Sequence, residues 1–294
     1  MRTPGGAPLA RPGPAALRAG AEAAAAGLPG LLLAAERLAS VVDTGAHGLR
    51  LAGTGDEFWQ YRAAQPGDPA ASIDWRRSAR SDAAFVRERE MQSPQAAAFW
   101  VAATPGMDWT GDPARPTKQA RGALLGLALG LVLLRGGERV AVAGRAPRGG
   151  RTQAEALGRD LIAATGALPD AGALRPGQRL VLIGDFLDDP APLAALTRQA
   201  AAQGVRGAML QVLDPVEETF PFQGAIRFRG PGVAVADHLT RDAAALRGAY
   251  LARLADRRAL LGQMADASGL HFGTHDTAQP PAQALMWLYQ ALAE

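Results

Sequence analysis

From Pro94 onward the chain alternates short apolar runs with stretches of helical length, and that rhythm restricts the fold more than any other feature. Residues 97–104 (AAFWVAAT), 138–144 (ERVAVAG), 179–186 (RLVLIGDF) and 205–213 each suit a buried strand. Helix signals lie between them. Thr117 is placed to cap a helix through Arg135 that stops at Gly136-Gly137, and Thr152-x-x-Glu155 has the form of a capping box for a helix to Ala164. Asp188-Asp189-Pro190 offers a cap and a first-turn proline for a helix ending at Gly204. This order predicts an α/β fold, a doubly wound and mostly parallel sheet with right-handed crossovers and helices on both faces.

Beyond Asp214-Pro215, residues 220–229 read as a hairpin. Leu246, Tyr250, Leu254, Leu261 and Met264 mark one face of a helix closed by Ser268-Gly269. Residues 270–274 read as a last strand, and Pro280-Pro281 opens a terminal helix. Upstream the organisation differs. Residues 1–45 read as a flexible arm with an Ala/Leu-rich helical segment, and 46–93 as a small strand- and loop-rich accessory module, with the α/β domain filling 94–294.

Composition narrows the chemistry. Apolar residues make up 48% of the chain, enough for a large core. Cysteine is absent, which excludes disulfides, thiolate metal sites and cysteine nucleophiles. The net charge is +3, and every basic side chain apart from histidine and Lys118 is arginine. Acids and bases are interspersed, as in Arg87-Glu88-Arg89-Glu90, which points away from nucleic acid. The uncharged run 122–134 falls short of the roughly 20 residues of a membrane span and reads as a core helix. The first twenty residues hold no apolar signal-peptide segment, so a cytoplasmic protein is expected.

The motifs are weak for catalysis. Gly53-Thr-Gly55 lacks the third glycine and Lys-Ser/Thr ending of a phosphate loop and reads as a turn. His271 and His275 are four apart on a predicted strand, about 13 Å along the chain, too far to share zinc without help. No Gly-x-Ser-x-Gly elbow occurs. In Ile73-Asp74-Trp75-Arg76-Arg77-Ser78-Ala79-Arg80, Asp74 and Arg80 suit a loop-fixing ion pair, with Trp75 either buried between them or presented as an anchor for a partner.

Taken together, Gly53-Thr-Gly55-x-Glu57-Phe58, Arg62, Pro66-Gly67-Asp68, Ile73-Asp74-Trp75, Ser78-Ala79-Arg80, Val86-Arg87-Glu88, Asp185-Phe186, Asp214-Pro215-x-Glu217 and Phe220-Pro221-Phe222-x-Gly224 resemble the bacterial family known as domain of unknown function 58 (DUF58). The resemblance spans residues 45–293 and implies a von Willebrand factor A-like domain and a partnership with a MoxR-type AAA+ ATPase acting on a client protein or complex. Such domains carry a metal-ion-dependent adhesion site, with an Asp-x-Ser-x-Ser run after the first strand and a later Thr and Asp. Here those run positions hold Ala102, Thr104 and Gly106, with Thr152 and Asp185 as the later counterparts. A leading carboxylate and one hydroxyl are gone, so the expectation is a degenerate site, a non-catalytic adaptor, no cofactor and no metal. Its expected partner-binding residues are Thr104, Met107, Asp108, Thr152 and Asp185, with Trp75 and Arg80 extending the surface. One alternative is a divalent-metal adhesion domain or hydrolase using Asp185, Asp108 and Asp112. Another is a membrane-surface scaffold using the helix at 243–264.

Overall fold

The computed structural model describes residues 33–40, 49–65, 73–79, 84–93, 95–150, 152–228 and 237–293. Five parallel strands form the central sheet: β3 (Ala96–Val101), β4 (Arg139–Val142), β5 (Arg179–Gly184), β6 (Arg206–Leu213) and β9 (Leu270–Asp276), in the order β4-β3-β5-β6-β9. This is the doubly wound arrangement that the strand–helix rhythm implies. The direction of winding reverses between β3 and β5, where Val101 pairs with Ile183. In such a sheet the crevice outside the carboxyl ends at the reversal is where ligands bind.

Alternation along the strands divides the core into two layers. Phe99, Val101, Val181, Ile183, Leu210 and Val212 face helices α3 (Lys118–Arg135), α4 (Thr152–Ala163) and α8 (Pro281–Ala293). Ala98, Leu180, Leu182 and Met209 face α5 (Pro190–Ala202) and α7 (Arg247–Ser268). Ala35, Leu38 and Ala39, from the short helix α1 at residues 33–39, join the first layer. Helix α3 approaches its neighbours closely through glycine. A Cβ on Gly130 would lie 2.3 Å from Leu157 Cδ2, and one on Gly122 2.9 Å from Val101 Cγ1.

The helix boundaries follow their caps. Thr117 accepts a hydrogen bond from the Ala120 amide, and Asp189 accepts from Ala191 ahead of Pro190. Helix α4 begins at Thr152 itself, so Thr152 is a first-turn residue. Gly269 ends α7 in the left-handed conformation.

Two readings change. The hairpin expected over 220–229 is not formed among its described residues, 220–228: β7 (Ile226–Phe228) pairs instead with β8 (His238–Thr240). Phe220 instead caps the short helix α6 (Pro215–Thr219), and its ring stacks against Phe228 and Tyr250. Gly53-Thr-Gly55 is not a turn. It lies inside β1 (Leu49–Ala63), which pairs with β2 (Phe85–Ser93) in a long antiparallel ribbon, and the register shifts between Gly53 and Phe58. Glycine there accommodates a bulge. The helical turn α2 (Trp75–Ser78) hangs on this ribbon: the Asp74 amide donates to the Phe85 carbonyl, and the Phe85 amide to Ser78 Oγ.

Candidate functional site: a buried ammonium at the sheet reversal

The loops after β3 and β5 meet at the reversal, and a lysine lies between them. Lys118 Nζ donates to Asp185 Oδ2 at 3.0 Å and to Glu217 Oε1 at 2.7 Å, and the residue is 1% exposed. Lys118 is the first residue of α3, where the helix dipole disfavours a cation. Its position is therefore set by the two carboxylates. Desolvation raises the Glu217 carboxyl above the ordinary glutamate range, against the opposing pull of the Lys118 charge.

Each carboxylate is held by its own loop. Asp185 follows the last residue of β5, and its carbonyl accepts from Gln211 Nε2 at 2.8 Å. Phe186, next in the chain, has φ 51°, a strained value for a bulky residue that turns the chain sharply away from the strand. Glu217 is the third residue of α6, and its Oε2 accepts from the Asp214 amide to complete a capping box.

Asp214 organises the rest of the rim. Fully buried, it accepts from the Gly111 amide at 3.1 Å, the Val216 amide at 2.9 Å, Arg115 Nη2 at 3.2 Å and the hydroxyls of Thr110 and Thr277, each at 3.3 Å. Burial pushes this carboxyl up, but the Val216 and Gly111 amides and then Arg115 outweigh it and hold it below the ordinary aspartate range. Gly111 is required by this approach, because a Cβ there would lie 2.7 Å from Asp214 Oδ1. Two ionic groups therefore line the rim, Asp185–Lys118–Glu217 and Asp214–Arg115–Asp112, joined where the Asp214 amide donates to Glu217 Oε2. Beside it, Arg121 Nη1 lies 2.8 Å from His275 Nε2, and burial followed by the Arg121 charge depresses the imidazole to about 4. His275 is thus a neutral acceptor.

The expected site residues separate on this frame. Thr104 and Asp185 do converge: a Cβ on Gly106 would meet Asp185 Oδ2 at 3.2 Å and Thr104 Oγ1 at 3.7 Å. Asp108 is exposed on the same loop. Met107 is fully buried and is a core residue, not a contact residue. Thr152, among the described residues, makes no hydrogen bond or ion pair with the Lys118 cluster. Trp75 is 62% exposed, so it is not sandwiched between Asp74 and a neighbour. Arg80 lies outside the described residues.

The trio Asp185, Asp108 and Asp112 is not assembled. Asp185 is bound to Lys118, Asp112 caps Ala114 and pairs with Arg115, and no three acidic or imidazole groups converge among the described residues. Nor do the residues at the reversal fit a divalent cation. Ala102 and Gly106 supply no side-chain oxygen, Thr104 Oγ1 accepts from the Met107 amide, and Asp185 already faces an ammonium.

Sequence reasoning missed Lys118 and Glu217. Two signals pointed to them: a lone lysine in an arginine-based chain, and the Asp214-Pro215-x-Glu217 capping pattern directly after a strand. Two exposed apolar side chains flank the cluster, Trp109 (39% exposed) after β3 and Leu187 (37%) after β5.

The fold and rim define a doubly wound α/β protein with a buried ionic cluster at its sheet reversal. The chain belongs to the family described as protein of unknown function DUF58, whose model matches residues 60–260. No curated protein matches it. Among solved structures it is similar to the conserved hypothetical protein BatB from Bacteroides thetaiotaomicron, at 12% identity over 68% of this chain and 98% of that one, with a TM-score of 0.37. It is also similar to an aerotolerance-related membrane protein from Bacteroides fragilis, at 13% identity over 67% and 98%, with a TM-score of 0.39.

Proposed function

We propose that this protein is a non-catalytic adaptor that presents the carboxyl-end rim of its sheet to another protein, and that the partner is a MoxR-type AAA+ ATPase acting on a client. The observation that carries this reading is the Lys118 contact with both Asp185 and Glu217. The two carboxylates at the reversal are paired with an ammonium from within the chain, so neither Asp185 nor Glu217 is a free base for chemistry there. The adhesion site is degenerate on this reading, with a tethered ammonium among its carboxylates. Trp109, Leu187 and Asp108 then form the contact surface, with half-buried Thr104 on the same loop as Trp109 and Asp108 and with Trp75 at a second patch on the ribbon.

Work with an ATP-driven partner puts the protein in the cytoplasm. No helix among the described residues is long and apolar enough to cross a membrane. Co-purification with the ATPase, with and without ATP, tests the proposal. Association in either state supports it, and its absence in both overturns it.

A further inference from the structure

At the opposite end of the sheet, three strands begin with arginine. Arg139, Arg179 and Arg206 are the first residues of β4, β5 and β6. Arg179 and Arg206 are register partners on adjacent strands, which lie about 4.8 Å apart. A fourth arginine, Arg175, comes from the turn before β5. All four line a cavity of about 620 Å³, together with Gln95 and Gln178. They come from three separate stretches of sequence, around 139, 175–179 and 206, and so leave no long basic run to be read there.

The cavity has the marks of an anion site. Gln178 is 5% exposed, and its Nε2 donor has no partner. Arg179 donates through Nε to Gln95 Oε1, but its Nη1 is buried and unpartnered. Buried donors left unsatisfied are costly, and an acceptor in the cavity would relieve that cost. Among the described residues no carboxylate lines the cavity. Glu138, nearby and buried, offsets part of the Arg179 charge. Arg179 is depressed by burial and then by Arg206, so the two guanidinium groups feel each other's charge.

We propose that this cavity binds a small phosphorylated anion of at least two negative charges, gripped by Arg179 and Arg206 and closed by Arg139 and Arg175. Guanidinium forks match phosphate oxygens bidentately. The volume falls in the range of about 300–1,000 Å³ typical of small-molecule pockets, and a concave site favours a compact ligand over a duplex or an extended peptide. The site lies at the other end of the strands from the Lys118 rim, so it stands independently of the adaptor reading.

Calorimetry with inorganic pyrophosphate on the full chain tests it. Saturable binding is expected, weakened about tenfold or more by Arg206→Gln, an exposed position whose change leaves folding intact, and again by Arg179→Gln. Orthophosphate should bind more weakly than pyrophosphate. Absence of saturable heat, or binding equal to wild type in folded Arg206→Gln, overturns the proposal. So does binding of a hexaglutamate peptide with pyrophosphate silent, an outcome that would assign the cavity to an acidic protein segment.

Discussion

Lys118 Nζ lies 3.0 Å from Asp185 Oδ2, joining the first turn of α3 to the carboxyl end of β5 across the point where the sheet reverses. Glu217, 2.7 Å away on the other side, ties α6 to the same ammonium. One side chain thus ties α3, the loop after β5 and α6 together. Removing the ammonium would leave two partly or fully desolvated carboxylates facing each other.

Lys118→Met should therefore destabilise the protein by about 3–5 kcal/mol at neutral pH, the usual cost of breaking one side of a buried pair. The loss should shrink on acidification. Burial already raises the Glu217 carboxyl, and without Lys118 its main opposing influence is gone, so the folded state takes up a proton before the unfolded chain does. Urea unfolding at about pH 8 and about pH 5 should show the smaller penalty at the lower pH. Equal penalties would mean Glu217 stays ionised.

His275 gives a pH dependence of opposite sign. Its folded value is about 4 against an unfolded value of 6.5, so the unfolded chain binds the proton first as pH falls. Stability is full above the unfolded value and is lost through the window between the two. The wild type should lose about 2 kcal/mol between pH 7.5 and 5 from this residue. His275→Gln retains an acceptor for Arg121 and should flatten that part of the profile in denaturant titrations.

The core of the fold was legible because its signals are local. Thr117, Asp189-Pro190 and Gly269 cap helices at or within a residue of the predicted limits, and the runs at 97–104, 179–186 and 205–213 became adjacent strands. The ribbon was harder to read because a bulge breaks the alternation at Gly53–Phe58. The site was legible only where the strand order itself brings two loops together. Thr104 and Asp185 follow strand ends that topology alone brings together, whereas the partners of Asp185 come from 67 residues upstream in Lys118 and, through it, from Glu217. No periodicity encodes such contacts. The mistaken exposure of Met107 has the same origin, since a loop position does not say which side chain turns inward.

Gly111→Ala tests whether Asp214 organises the rim. The new methyl would sit 2.5 Å from Val216 Cγ2 and 2.7 Å from Asp214 Oδ1, forcing the 110–115 loop off the carboxylate. The expected cost is about 2–4 kcal/mol, from lost bonds to a charged acceptor. Limited proteolysis should cut first in that loop, and cleavage unchanged from wild type would show that the loop is held by other contacts.

The adaptor reading makes its sharpest demand on the exposed residues. Trp109 and Leu187 flank the ionic cluster on two different loops, and neither is needed to complete the core. Trp109→Ser with Leu187→Ser should shift stability by less than about 1 kcal/mol, because each side chain already meets solvent. A partner that docks there would lose at least about tenfold in affinity, since a half-exposed tryptophan is the kind of anchor that dominates an interface. Trp75→Ser separates the two patches. If the ATPase contacts only the rim, this variant should bind as wild type does, and if the ribbon extends the interface, binding should weaken again. Retained affinity in the double variant, measured on protein with wild-type unfolding, would move the contact surface away from the sheet reversal altogether.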